Sequence, residues 1–151
     1  MGKYSCEDNC NIPKSDVARL QLEDAIDLFL INKRLSSITL AGAAEEIFAR
    51  LLKQRGERSV VEESFRVVQE IREKTGFVAM GGRKKSEIFK EWNGARNTLK
   101  HHDETDDDTV TINLFDEAYM MIQRALANAD KLGVNLRNRH EYENWLVENI
   151  Y

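Results

Sequence analysis

Ile38-Thr39-Leu40-Ala41-Gly42-Ala43-Ala44-Glu45-Glu46-Ile47-Phe48-Ala49-Arg50-Leu51-Leu52 reads as an amphipathic helix by its spacing alone. Ile38, Ala41, Phe48 and Leu52 recur at helical intervals, and Leu40, Ala44, Ile47 and Leu51 widen the same stripe. The segment is rich in alanine, which favours the helix. It is expected to begin near Ser36 or Ser37 and to stop at Gly56, a glycine placed where helices end.

The same periodicity extends on both sides. Upstream, the chain's single proline, Pro13, precedes an expected first helix from about Ser15 to Arg34. Ser15 is its expected N-cap, and Val17, Leu20, Ile26, Phe29 and Leu30 face inward. Downstream, Ser59 and Glu62 match a capping box that opens a third helix ending near Gly76, with Phe65, Val68 and Ile71 as its stripe. Residues 76–82 contain three glycines and read as a loop. A fourth helix, about Ser86 to Lys100, carries Ile88, Phe89, Trp92, Ala95 and Leu99. A fifth starts near Asn113, with Asp116 and Glu117 in its first turn, and reaches Leu132 before Gly133. Asn138 heads a short last helix through Trp145 and Ile150. Val110, Thr111 and Ile112 favour strands, but three residues without a partner do not make a sheet. These elements predict an all-α fold, an antiparallel up-and-down bundle of four to five main helices spanning 14–151 behind a flexible polar tail, 1–13.

A chain of 151 residues suits one hydrophobic core. No apolar run reaches the roughly 18 residues needed to cross a bilayer, and the stretch before Pro13 lacks a secretory signal, so a cytoplasmic protein without membrane association is expected. Cys6 and Cys10 sit in the tail; with no second cysteine pair, free thiols are expected over half a metal site or a disulfide. Net charge is −4, which does not advertise nucleic-acid binding by the whole surface. The charge is uneven, however. Arg83, Lys84, Lys85, Lys90, Arg96 and Lys100 face only Glu87 and Glu91 over residues 83–102, and Asp103, Glu104, Asp106, Asp107 and Asp108 follow at once. An anionic partner should meet the first segment and avoid the second.

Two charged residues fall in apolar seams. Arg96 follows Phe89 and Trp92 and precedes Leu99 at intervals of three, four and three, while Glu45 interrupts the seam Ile38, Ala41, Phe48, Leu52. A partly buried charge requires a partner, because isolated burial costs several kcal/mol per ion, roughly. Glu45 or its neighbour Glu46 is expected to pair with Arg96 and orient it; the alternative is that both side chains reach from the core edge to solvent. Gly94 costs roughly 1 kcal/mol relative to alanine in a helix and suggests a close backbone approach. Asn93, Asn97 and His101, spaced by four, share one helical face. Arg96 and His101 are five apart, about 140° around a regular helix, so a site using both needs a helix terminus or two copies of the segment across a dimer.

The run Arg96-Asn97-Thr98-Leu99-Lys100-His101 resembles the motif of the HEPN domains (higher eukaryotes and prokaryotes nucleotide-binding): an arginine, a polar residue after it, and a histidine beyond four to six intervening residues. Its place at the end of the penultimate long helix, and a glutamate in an alanine-rich second helix, also agree, over residues 13–132. His102, with five intervening residues, also satisfies that spacing rule.

The resemblance implies a metal-independent endoribonuclease or RNA-binding protein, in a toxin–antitoxin or phage-defence setting. It also implies a homodimer that joins two motifs, with RNA and an antitoxin protein as partners and no cofactor. In that reading His101 moves a proton at a ribose 2′-hydroxyl or at the leaving oxygen. Arg96 clamps the scissile phosphate, and Asn97 positions the phosphate or the imidazole. Glu45, Glu46, Asn93 and His102 are the supporting residues, and Arg83, Lys84, Lys85, Lys90 and Lys100 the RNA-binding ones. Two other readings compete. In one, Lys100, His101 and His102 serve only the helix dipole in a non-catalytic interaction module with Arg96 in a structural ion pair. A metal held by His101, His102, Asp103, Glu104 and the aspartates beyond is the third, but the run lacks the glycine of a calcium loop and the Glu-x-x-His of di-iron bundles.

Overall fold

A computed structural model of the chain describes residues 9–76 and 83–151. Cys6 and most of the expected tail, together with all but Gly76 of the expected glycine loop, lie outside the described residues. Within them the fold is all-helical, with no strand: α1 (Lys14–Leu30), α2 (Arg34–Gln54), α3 (Val60–Thr75), α4 (Lys85–Trp92), α5 (Gly94–Lys100), α6 (Leu114–Leu132) and α7 (Arg139–Asn149). This is compatible with a helical bundle.

Helix α2 is the centre, packed against α1 on one side and α6 on the other. The core joins Leu22, Ile26 and Phe29 of α1 to Ile38, Ala41, Ala44 and Phe48 of α2 and to Met121, Ile122 and Ala125 of α6. Each large side chain buried there contributes about 1.5–3 kcal/mol relative to exposure. Helix α7 closes one end, where Phe29 meets Tyr142 and Trp145 edge to face at 5.5 and 5.0 Å. The Arg34 guanidinium lies over Phe29, Phe115 and Trp145 at 5.2, 5.1 and 5.9 Å from the ring centres. Such cation–π contacts hold the start of α2 against α7.

Local signals account for both ends of α3 and of α6. Ser59 accepts from the Glu62 amide at 3.3 Å and Asn113 from the Asp116 amide at 3.1 Å, each satisfying an amide that the first turn leaves free. Gly76 and Gly133 close α3 and α6 with φ of 72°, a conformation glycine adopts without strain.

Other expectations are corrected. Helix α1 begins after Pro13 rather than after Ser15, since proline's fixed φ already leads into the first turn. Helix α2 begins at Arg34, two residues before Ser36, because the Ser37 hydroxyl donates to the Ala25 carbonyl at 2.7 Å and binds α1 instead of capping. Asn138 does precede α7, but its amide donates to the Glu23 carbonyl and to Asp27 Oδ1, both at 2.8 Å, instead of capping the helix. Leu20 and Ile71, expected inside, are 45% and 41% exposed. Ile71 lies on α3, which packs on α6 and sets Phe65 against Phe89 of α4, and which buries just Val61.

The expected fourth helix is two helices. It breaks at Asn93, where α4 ends and α5 starts at Gly94. A side chain from α6 stabilises the break: Arg124 Nη1 donates to the Trp92 carbonyl at 3.0 Å and Nη2 to Asn93 Oδ1 at 2.9 Å. A helix end leaves carbonyls unsatisfied, and Arg124 takes one of them. Gly94 was expected to allow close packing, yet a Cβ there would meet nothing within 4 Å. The close approach occurs at Gly42.

Candidate functional site

Helix α5 lies on α2 at Gly42, where the Arg96 side chain crosses the α2 backbone. A Cβ on Gly42 would fall 2.4 Å from Arg96 Cδ and 2.6 Å from Cγ, so only glycine leaves room for the arginine. Arg96 Nη1 then reaches Glu45 Oε2 at 3.1 Å, with the Gly42 carbonyl at 3.5 Å. Glu45 is the partner that the seam spacing required; Glu46 is exposed at the rim of the same cavity. Arg96 is 8% exposed and Glu45 4%, so the pair belongs to the interior.

Sequence reading missed two further members. Arg124 Nη2 sits 3.2 Å from Glu45 Oε1, and the Asn128 amide donates to that oxygen at 3.4 Å. One carboxylate thus stands between two guanidiniums, leaving the cluster with an excess of one positive charge. The Nε of Arg96 and that of Arg124 are buried without a hydrogen-bond partner among the described residues. Both arginines and Asn93 line a cavity of about 240 Å³, with Arg50 and Lys53 also on its wall. A signal for the missed residues existed: on α6, Arg124 falls three residues after Met121 and Asn128 three after Ala125 and four after Arg124, so two polar groups share its apolar stripe.

The rest of the motif lies elsewhere in the protomer. His101 leaves α5 with extended backbone, φ −130° and ψ 145°, while its amide still donates to the Asn97 carbonyl at 3.1 Å. Asn97, Lys100, His101 and His102 are all exposed and line a second cavity of about 600 Å³, across from Asp106, Asp107 and Asp108. The break at Asn93 abolishes the single helical face expected for Asn93, Asn97 and His101: Asn93 turns to Arg124, whereas the other two face solvent. Arg96 and His101 therefore line different cavities within one copy of the chain.

Arg83, Lys84 and Lys85 line a third cavity, between α3 and α4; Lys90 is exposed on α4 and lines none of the three. Among the described residues no group of three or more His, Cys, Asp or Glu side chains is placed to hold a metal ion, and no helix is long and apolar enough to cross a membrane. The chain matches no protein-family model, and no curated protein and no solved structure matches it.

Proposed function

We propose that the chain is a HEPN-like RNA-binding protein that cleaves RNA without a metal ion, as a homodimer whose two motifs complete one site. The observation that carries this reading is Arg96 itself: Glu45 fixes its guanidinium on the wall of a cavity that holds more cationic than anionic charge at its base. A prepositioned arginine in a water-poor site stabilises developing phosphate charge more than a mobile surface arginine does. His101, exposed at the end of α5, is free to accept or deliver a proton. Because the two groups face different cavities in one copy, the reaction needs the His101 end of one protomer beside the Arg96 cavity of another. Attack of the 2′-hydroxyl on the adjacent phosphorus would expel the 5′-oxygen, giving a 2′,3′-cyclic phosphate and a 5′-hydroxyl. A toxin or phage-defence role with an antitoxin partner, in the cytoplasm, belongs to the same proposal.

A specific observation favours a second reading. Both Glu45 oxygens are engaged and Arg96 is almost covered, as in a structural ion pair of an interaction module. Incubating the protein with mixed RNA in excess chelator decides between them. The nuclease reading expects cyclic-phosphate ends that vanish in His101→Ala, and in a concentration series activity that rises with dimer formation. A folded dimer that leaves RNA intact would establish the module instead. Loss in His102→Ala, with His101→Ala active, would transfer the role to the neighbour.

A further inference from the structure

Of the three cavities described above, the groove between α3 and α4 has the largest excess of cationic over anionic lining residues, and the Arg96–His101 proposal does not use it. It has a volume of about 610 Å³. Six cations line it: Arg58, Arg66 and Arg72 on the α3 side, and Arg83, Lys84 and Lys85 at the start of α4. Glu62 is the one carboxylate among its lining residues. This concentration occurs in a chain whose total charge is −4, so the rest of the surface is strongly acidic.

Several of these cations are not neutralised locally. Arg66 pairs with Glu63 and Glu70, and Arg83 with Glu91. Lys85 Nζ lies over the Phe65 and Phe89 rings, 5.6 and 5.1 Å from their centres, a contact that holds the ammonium without cancelling its charge. Arg58, Arg72 and Lys84 are exposed and form no ion pair among the described residues. A concave surface with cations on both walls concentrates its field inward and favours a ligand whose own charges are repeated along a line. Phe65 adds an apolar wall suited to the sugar of such a ligand.

We infer that the α3–α4 groove binds the phosphodiester backbone of single-stranded RNA, holding the strand that the Arg96–His101 site is proposed to cut. The inference rests on the RNA reading above, but its test does not depend on cleavage. Binding of a fluorescent single-stranded RNA of about 20 nucleotides is followed by polarisation across a salt series, with Arg72→Gln/Lys84→Gln compared with wild type. A control of equal charge, Lys14→Gln/Lys33→Gln, alters two exposed cations outside the groove. Helicity by circular dichroism accompanies each protein.

The groove variant should weaken binding about tenfold and reduce the salt slope by about 1.4, since each phosphate contact on a single strand contributes about 0.7. The control should change Kd less than twofold. His101→Ala should bind as wild type does. Where cleavage occurs, the groove variant should raise KM and leave kcat within twofold. A protein that binds RNA through the groove without cutting it would retire the nuclease reading and leave this inference standing. Equal binding by wild type and groove variant, or no binding by wild type, would overturn it. Polyglutamate competing as well as RNA would also overturn it, assigning the groove to an acidic polypeptide.

Discussion

Gly42 offers the sharpest test of how α5 is held. In an ordinary helix interior, glycine to alanine stabilises by about 1 kcal/mol, because glycine loses the most backbone freedom on folding. Here the added methyl would stand 2.4 Å from Arg96 Cδ and 2.6 Å from Cγ, closer than real carbon contacts allow. Those atoms are mid-chain, in a side chain 8% exposed, so they cannot retreat while the head group stays 3.1 Å from Glu45. The arginine must leave its pocket. Breaking a buried ion pair costs about 3–5 kcal/mol when the remaining charge is stranded. The cost is smaller here because Arg124 and Asn128 keep Glu45 partnered and the expelled guanidinium reaches water. After subtracting the helix gain, Gly42→Ala should destabilise by about 2 kcal/mol, a fall in Tm of roughly 4–8 °C for a domain of this size. Urea denaturation followed by circular dichroism measures it. In an Arg96→Ala background the clash disappears, so the same substitution should stabilise by about 0.5–1 kcal/mol. Gly42→Ala stabilising both backgrounds equally would refute the account of Gly42 as the arginine's berth.

Asn128→Ala should cost about 1–3 kcal/mol, because the Val60 amide loses its acceptor at 2.9 Å and Glu45 loses a donor; hydrogen exchange at Val60 should speed up alongside the urea shift. Glu45→Gln should be among the most damaging single changes, about 3–5 kcal/mol by urea denaturation, since it leaves two buried guanidiniums facing each other without a counter-charge. His101→Ala should change stability by less than about 0.5 kcal/mol, because the side chain is exposed beyond the last turn of α5, and thermal melts should superimpose. Partial burial pushes the Asp27 carboxyl up, but hydrogen bonds from Arg137 and Asn138 outweigh it and hold the group below its ordinary value of 3.8. A carboxyl depressed in the folded state stabilises fully above its unfolded pKa and loses that contribution as pH falls through the folded value. Stability should therefore drop below about pH 4, and Asp27→Asn should flatten that part of the pH profile.

The seams that hold α2 and α6 to the core were legible because most of their inward positions are apolar at helical spacing, from Ile38 to Leu52 and from Ala118 to Ala129. Glu45 and Arg96 were legible for the converse reason: each is a charge in an apolar rhythm, and burial demanded a partner. The break at Asn93 was not, since Phe89, Trp92, Arg96 and Leu99 keep helical spacing across it and the arginine that stabilises it lies 31 residues away. Gly94 drew attention because it sits beside the motif, whereas the glycine that matters, Gly42, was hidden among alanines; which glycine meets another chain segment depends on packing, not on local sequence. Arg58, Arg66 and Arg72 are spread from just before α3 to its last turn, away in sequence from the cluster at 83–85, and only the packing places both on one groove.

The helices that carry the candidate groups are those with least apolar anchorage. Val61 is the buried apolar residue of α3 and Ile88 that of α4, and the buried residue of α5 is Arg96. Besides Leu99, which is partly buried against the core, polar contacts hold α5 to the bundle: Arg96 to Glu45 from α5 itself, and Arg124 to Trp92 and Asn93 just before it. Polar attachment of this kind is directional, and partial loss leaves a stranded charge, so it fixes one position of the segment more sharply than an apolar patch does. It also makes position and charge inseparable. The same Glu45 that anchors α5 determines how much positive charge faces the cavity, so an anion arriving there would act on the helix that carries His101 as well as on Arg96. If the proposed RNA reading holds, tethering by one carboxylate between two arginines would tie the placement of the motif to the occupancy of the proposed site.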